Sequence, residues 1–262
     1  MKKAKSDYLI QSVSRALDIL EAFSIGQEAL GVTDLSRKLK LHKNNVFRLL
    51  ATLETRGYVE QDSESGTYRL GMKTFEVASV FLHHLGLVKQ ARPVLEQLAR
   101  ETEEAAYLGV LDGPAVVCVD VAETSQSVRV VSHLGRRLPG HATALGKAQL
   151  AFRTQGELDQ LWKAEEPLAL TGRTVVGPPR LAEELARVAA QDLAIEDEEL
   201  EAGVRGLAAP VRDYAKRVIG AIGVRGPAFR LPLDRLEGDL APRVRVAARE
   251  VSRRLGYAIL PA

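Results

Sequence analysis

The 262-residue sequence contains a single cysteine, Cys118. One thiol excludes an intramolecular disulfide and any cysteine-rich zinc module. No apolar run reaches the roughly 18 residues that a membrane helix needs. The basic start, MKKAKSDYLIQSVSRALDIL, is not followed by a short apolar stretch with a small-residue cleavage site, so no signal peptide is expected. No repeat of about 20 to 50 residues and no low-complexity tract is present. The glycine-rich loop G-x-G-x-x-G and the nucleophile elbow G-x-S-x-G are both missing. These absences favour the cytoplasm and argue against nucleotide-dependent or serine-hydrolase chemistry. What remains is ordinary for a globular chain, with 46% hydrophobic and 27% charged residues. The length suits one large domain or two of usual size.

Charge is unevenly spread. Residues 1–75 carry 12 Lys+Arg against 9 Asp+Glu, and the remainder carries 24 against 25. Within residues 32–58 the count is 6 basic against 2 acidic. A local basic patch on a near-neutral protein points weakly to a polyanion.

The patch coincides with a recognisable order of elements. Val13, Ala16, Leu17, Leu20 and Phe23 repeat at helical spacing, with Ser12 or Ser14 as the expected cap. Thr33 is the expected N-cap of a short second helix bearing Leu35 and Leu39. After a turn at Leu41 and His42, Val46, Leu49, Leu50 and Leu53 form the inward stripe of a third helix ending near Gly57. The period then changes. Tyr58–Gln61 and Thr67–Leu70 read as strands around the turn 62–66. Helix, helix, turn, helix, hairpin is the layout of a winged helix-turn-helix.

With its stripe facing inward, the third helix turns Asn44, Arg48, Ala51 and Thr55 outward, flanked by Lys43, Asn45 and Thr52. Asn suits adenine and Arg suits guanine in a major groove. Lys38, Lys40 and Lys43 suit phosphates, which position without specifying. The expected DNA-contacting set is Thr33, Lys43, Asn44, Asn45, Arg48 and Thr52. Residues 72–86 read as a linker helix. His83 and His84 are adjacent and cannot share one helix face. Exposed helix residues are the plainer reading of this pair, a metal site the other.

The remainder reads as α+β. A helix over Leu87–Thr102 precedes strand-like runs at 106–111, 115–121 and Val128–Ser132. Helices follow around Leu145–Ala151, Glu157–Lys163 and Leu181–Val188. Glu196–Glu201 reads as an acidic, exposed stretch. Gly206–Val211 and Val218–Val224 read as core strands, and Leu236–Leu255 as a final helix. Cys118 lies mid-strand and reads as core, not as a nucleophile.

Two strings, GRRLPGHATALGKAQLA at 135–151 and ELEAGVRGLAAPVRD at 199–213, resemble the IclR family of bacterial transcription regulators. The resemblance covers nearly all of the chain. It implies a winged helix-turn-helix over 1–71, a linker helix over 72–86, and a GAF-like effector-binding and oligomerisation domain over 87–262. That domain is expected to hold a six-stranded antiparallel sheet flanked by helices. The resemblance further implies a homodimer, often a dimer of dimers, an operator in double-stranded DNA and a small organic acid as effector. The expected function is a ligand-responsive regulator of metabolic genes, read as a repressor.

Thr143 is expected to cap a helix starting at Ala144, leaving its first N–H groups open to an anion. The family pocket, carried over, selects Gly140, His141, Thr143, Ala144, Leu145, Glu196, Gly206, Gly223 and Arg225. Here the chain departs from the family pattern. Gly206, Gly223 and Arg225 stand where relatives often have Cys, Ser or other hydroxyl residues. The two glycines are expected to enlarge the cavity, and Arg225 to offer a fork to a carboxylate. The alternative for Arg225 is a strand-end residue paired with an acid. No catalytic residue, cofactor or metal ligand set is assigned, and no membrane partner is expected. Two other readings stand beside this one: a winged-helix regulator sensing a metal or partner protein, and an enzyme with an appended winged helix.

Overall fold

A computed structural model describes residues 9–24, 27–131 and 134–257, with the side chains of 79–85 left outside that description. The adjacent histidines 83 and 84 fall among those side chains, and Ser132 lies in the gap after 131. The chain divides into two compact units, Met1–His84 and Leu85–Ala262. Among the described residues, no helix is long and apolar enough to cross a membrane.

The first unit packs α1 (Gln11–Glu21), α2 (Val32–Leu39) and α3 (Lys43–Thr55) around Ile19, Leu35, Val46 and Leu50. A two-stranded ribbon, β1 (Val59–Gln61) with β2 (Tyr68–Leu70), closes this core with Val59 and Tyr68. Helix α4 (Met72–Leu85) follows. Three local expectations need correction. Neither Ser12 nor Ser14 caps α1, whose N-cap is Ile10 without a side-chain bond. Thr33 lies inside α2, because Gly31 takes the cap position and Asp34 accepts from its amide at 3.2 Å. Lys38 is not free for phosphate, since its ammonium donates to the Ala22 carbonyl at 2.7 Å and to Gln27 at 3.0 Å.

The second unit is a six-stranded antiparallel sheet between helices. Its strands are β3 (Ala105–Asp112), β4 (Ala115–Ala122), β5 (Arg137–Pro139), β6 (Ala194–Asp197), β7 (Val204–Arg212) and β8 (Val218–Pro227), in the order β5-β4-β3-β8-β7-β6. One face carries Leu108, Leu207, Ala209, Ile222 and Val224 against α5 (Leu87–Thr102) and α10 (Ala241–Arg254). A three-residue turn of helix, α9 (Leu233–Arg235), leads toward α10. The opposite face carries Ala208 and Ala221 against α6 (Ala144–Leu150) and α8 (Pro178–Gln191). Helix α7 (Gln155–Ala164) begins with a reciprocal cap between Thr154 and Glu157. Small residues on the α6 face allow close approach: a Cβ on Gly109 would lie 3.3 Å from Leu145. Two sequence expectations fail here. Residues 128–131 form no strand, and the fifth strand is the short β5, paired with β4 through Val116 and Leu138. The acidic stretch is not wholly exposed, because β6 occupies its start and buries Glu196.

Candidate functional site

On α3 the inward stripe is Val46, Leu50 and Leu53, with Leu49 half-buried. Lys43, Asn44, Asn45, Arg48 and Thr52 are exposed, and so is Thr33 on α2. His42 caps α3 by accepting from the Asn44 amide at 3.4 Å. The Thr52 hydroxyl is already committed to the Arg48 carbonyl at 2.9 Å. The side chains of Lys43 and Arg48 have no hydrogen-bonded or ionic partner among the described residues. Unsatisfied donors on one exposed helix face are what phosphates and base edges require. The sequence reading missed Phe47, which lies on this outward face and is 55% exposed. Its position three residues after Asn44 is the signal that could have found it. The wing turn is preformed: Asp62 accepts from the amides of Glu64 and Ser65 at 3.0 and 2.8 Å, and these bonds hold its carboxyl below the usual range.

The second unit encloses a cavity between its sheet and α6. It is lined by Tyr107 and Cys118 from the first hairpin, Thr143 to Leu145 from the start of α6, Glu196 from β6, and Gly206, Gly223 and Arg225 from β7 and β8. Seven of the residues expected at the site line it, from Thr143 to Arg225. Gly140 and His141, also expected there, are not part of this lining. Gly140 instead packs against Gly146, where a Cβ would lie 2.2 Å from the Gly140 carbonyl oxygen. His141 turns away, with Nε2 at 3.0 Å from the Leu168 carbonyl and its ring edge-on to Trp162.

Three properties of the cavity differ from expectation. The Thr143 hydroxyl does cap α6, accepting from the Gly146 amide at 3.1 Å, but the first amide is not open. Ala144 N–H donates to Glu196 Oε2 at 3.5 Å. Arg225 is not an open fork either. Its Nε and Nη2 both lie 3.2 Å from Glu196 Oε1, and Nη2 lies 3.1 Å from Glu201. Finally, Gly223 supplies close packing and not room, because a Cβ there would meet the Leu207 carbonyl oxygen at 2.2 Å. The remaining space is about 20 Å³, enough for about one water.

Burial pushes the Glu196 carboxyl above the usual carboxylate range, against the pull of Arg225, the Ala144 amide and Lys147. Burial also pushes the Tyr107 hydroxyl up, and the Cys118 thiol to about 12. The Tyr107 hydroxyl has no hydrogen-bond partner, although the residue is buried. Sequence reading also missed Lys147. It is fully buried behind the cavity, with Nζ at 2.6 Å from Glu199, 3.0 Å from Glu184 and 2.5 Å from the Ile195 carbonyl. A lysine in an amphipathic helix reads as a solvated face, and only the tertiary packing reveals otherwise. Among the described residues no group of three metal-ligating side chains converges.

The order of a helix-turn-helix unit and a helix-flanked antiparallel sheet matches that of known DNA-binding transcription regulators. Residues 12–63 match the IclR helix-turn-helix domain, and residues 79–253 match the bacterial transcriptional regulator IclR C-terminal family. The HTH-type transcriptional regulator XynR of Escherichia coli is 35% identical over 95% of this chain and 98% of its own length. A putative transcriptional regulator of known structure from Rhodococcus is 31% identical, with a TM-score of 0.83 over 94% of this chain and 98% of that one. An IclR homologue from Microbacterium hydrocarbonoxydans, crystallised with 4-hydroxybenzoate, shares the fold at a TM-score of 0.82 and 24% identity, covering 93% and 98% of the two chains. The chain belongs to the IclR family of transcriptional regulators, and it is a regulator, not an enzyme.

Proposed function

We propose that this chain is a repressor of metabolic genes whose hold on its operator is changed by a small organic acid. The observation that carries the DNA half is the exposed face of α3, where Lys43 and Arg48 have no internal partner. Arg48 is assigned to a base edge and Lys43 to phosphate, with Asn44, Asn45, Thr52 and Thr33 around them. The cavity between sheet and α6 supports the ligand half. It combines an apolar lining with a few convergent polar groups, which is the make-up of a small-molecule site. Thr143, Ala144, Leu145, Glu196, Gly206, Gly223 and Arg225 are assigned to it; Gly140 and His141 are assigned to packing. As the cavity stands it is nearly filled, so an effector larger than water requires movement of the lining side chains.

We further assign a homodimer, or a dimer of dimers, as the working state, because a single winged helix offers little contact and half-sites are read in pairs. Val13 and Leu17 on α1, with Leu9 and Ile10 just before it, leave an exposed apolar face, and Met72, Phe75 and Val77 do the same on α4. The domain roles over 1–71, 72–86 and 87–262 follow from this assignment. Gel-shift titration of the full chain against DNA from its own promoter region tests the reading, with and without small carboxylates. Specific binding that small acids weaken supports it. Absence of any specific DNA binding, or a monomer by light scattering in the presence of operator, refutes it.

A further inference from the structure

The Glu196–Arg225 pair lies where an acidic effector's own charge would have to sit. We propose that Glu196 is the resident counter-anion of this cavity and sets its ligand selectivity: a carboxylate effector displaces Glu196 from Arg225, and Glu196 takes up one proton from solvent as it is displaced. The inference rests on the acid-effector reading above.

Three observations support it. First, the Arg225 guanidinium is already engaged by Glu196 and Glu201, so the cavity offers an incoming carboxylate no uncommitted cation. Second, the two acids are not equivalent. Glu201 is half exposed and can swing into water, whereas the Glu196 side chain is 2% exposed and has nowhere else to go. An ionised carboxylate left in a dry cavity without a cation is far too costly, so the group neutralises. Third, with the ion pair in place the cavity has room for about one water, so any carbon skeleton must displace these side chains.

The surrounding groups leave Glu196 as the one that titrates. Arg225 faces it from β8 and Glu201 from the turn after β6. From α6 the nearest charge is Lys147, which is held by Glu199 and Glu184. Tyr107 from β3 and Cys118 from β4 are kept neutral by burial, and β7 contributes only Gly206 and Leu207. Burial already pushes Glu196 upward, so loss of its main cation completes the protonation. The unpartnered, buried Tyr107 hydroxyl is then available to the ligand or to the new carboxylic acid. The exchange balances: one carboxylate anion and one proton enter together, and the cavity's net charge is unchanged.

Calorimetry of the full chain tests this with 4-hydroxybenzoate and pyruvate as probes, in two buffers of different ionisation heat. The expected result is uptake of about one proton per acid bound, with affinity rising up to about tenfold for each unit the pH falls while Glu196 is ionised in the free protein. Glu196→Gln should bind the acids more tightly and without proton uptake. Glu201→Gln should retain the uptake, which guards against a Glu196 variant that fails to fold. Acid binding by the wild type with no proton uptake, or Glu196→Gln matching the wild type in affinity and uptake, overturns the proposal and leaves the acid reading intact. Binding of neither probe to either protein overturns the acid reading, and the proposal with it.

Discussion

Replacing Lys147 by methionine removes a buried charge while keeping most of the side-chain volume. The ammonium is fully buried and joins α6 to Glu184 on α8, to Glu199 beyond β6, and to the Ile195 carbonyl. Glu184 keeps Arg187 as a partner after the change. Glu199 is worse placed. Its Oε2 already has no hydrogen bond, and Oε1 would retain only the Asp197 amide at 3.3 Å. Removing one member of a buried pair typically costs about 3–5 kcal/mol, because the other charge stays behind. That is a large part of a usual stability of about 5–15 kcal/mol. The cost should fall on the second unit. The chain's one tryptophan, Trp162, lies in α7 of that unit, so its fluorescence reports the relevant transition in a urea titration. The double variant Lys147→Met with Glu199→Leu removes both charges and should recover most of the loss, since well-packed apolar replacements of a buried pair are often neutral. If Lys147→Met costs under about 1 kcal/mol, or the double variant is no more stable than the single, the buried charges do not pair as strongly as their burial requires.

Further expectations concern DNA contacts and thiol reactivity. Arg48→Ala should cost about 1–3 kcal/mol on the specific operator and relax one base position, whereas Lys43→Ala should weaken all sequences alike and lower the salt slope by about one. Gel shifts at several salt concentrations separate the two, and full affinity in both variants would show that α3 does not read the DNA. Phe47 is an exposed aromatic on the same face and suits a thymine methyl; Phe47→Ala should lower specific affinity while sparing the non-specific background, and an unchanged operator preference would remove it from the interface. Burial pushes the Cys118 thiol to about 12, so at neutral pH it is protonated in the fold. A thiol reagent should label the chain only on unfolding, and rapid labelling of the native protein would contradict that environment.

Much of the fold was legible because local signals agreed. The stripe of Val46, Leu50 and Leu53, the left-handed Gly57 after α3, and the turn around Asp62 each specify their element within a few residues. The strands 204–212 and 218–227 were visible as apolar runs around Asp213. What failed depends on distant partners. Glu196 looked solvated because it opens an acidic run, yet pairing with Gly206 draws it into the sheet. The bonds that pair Arg225 with Glu196 cross 29 positions, and those of Lys147 cross 37 to 52, distances at which composition carries no signal. The run at Val128 carried an apolar pattern without a neighbour to pair with, whereas Arg137–Pro139, too short to notice, lies beside β4. The glycine cap at Gly31 prevailed over Thr33 because Asp34 completes it from inside the helix.

The order of strands in the second unit also bears on how the chain is made. Its two halves, β3–β4–β5 and β6–β7–β8, close between neighbours in sequence, but the middle of the sheet joins β3 to β8, pairing Ala105 with Arg225. That seam waits until more than a hundred further residues have left the ribosome, and long-range pairing of this kind is slow. The first unit ends by residue 84, so every partner in its core has been made before β3 begins. During synthesis, therefore, the first unit assembles before the second. A chain truncated before Val218 keeps the first unit whole but loses β8, the strand that joins the two halves of the sheet.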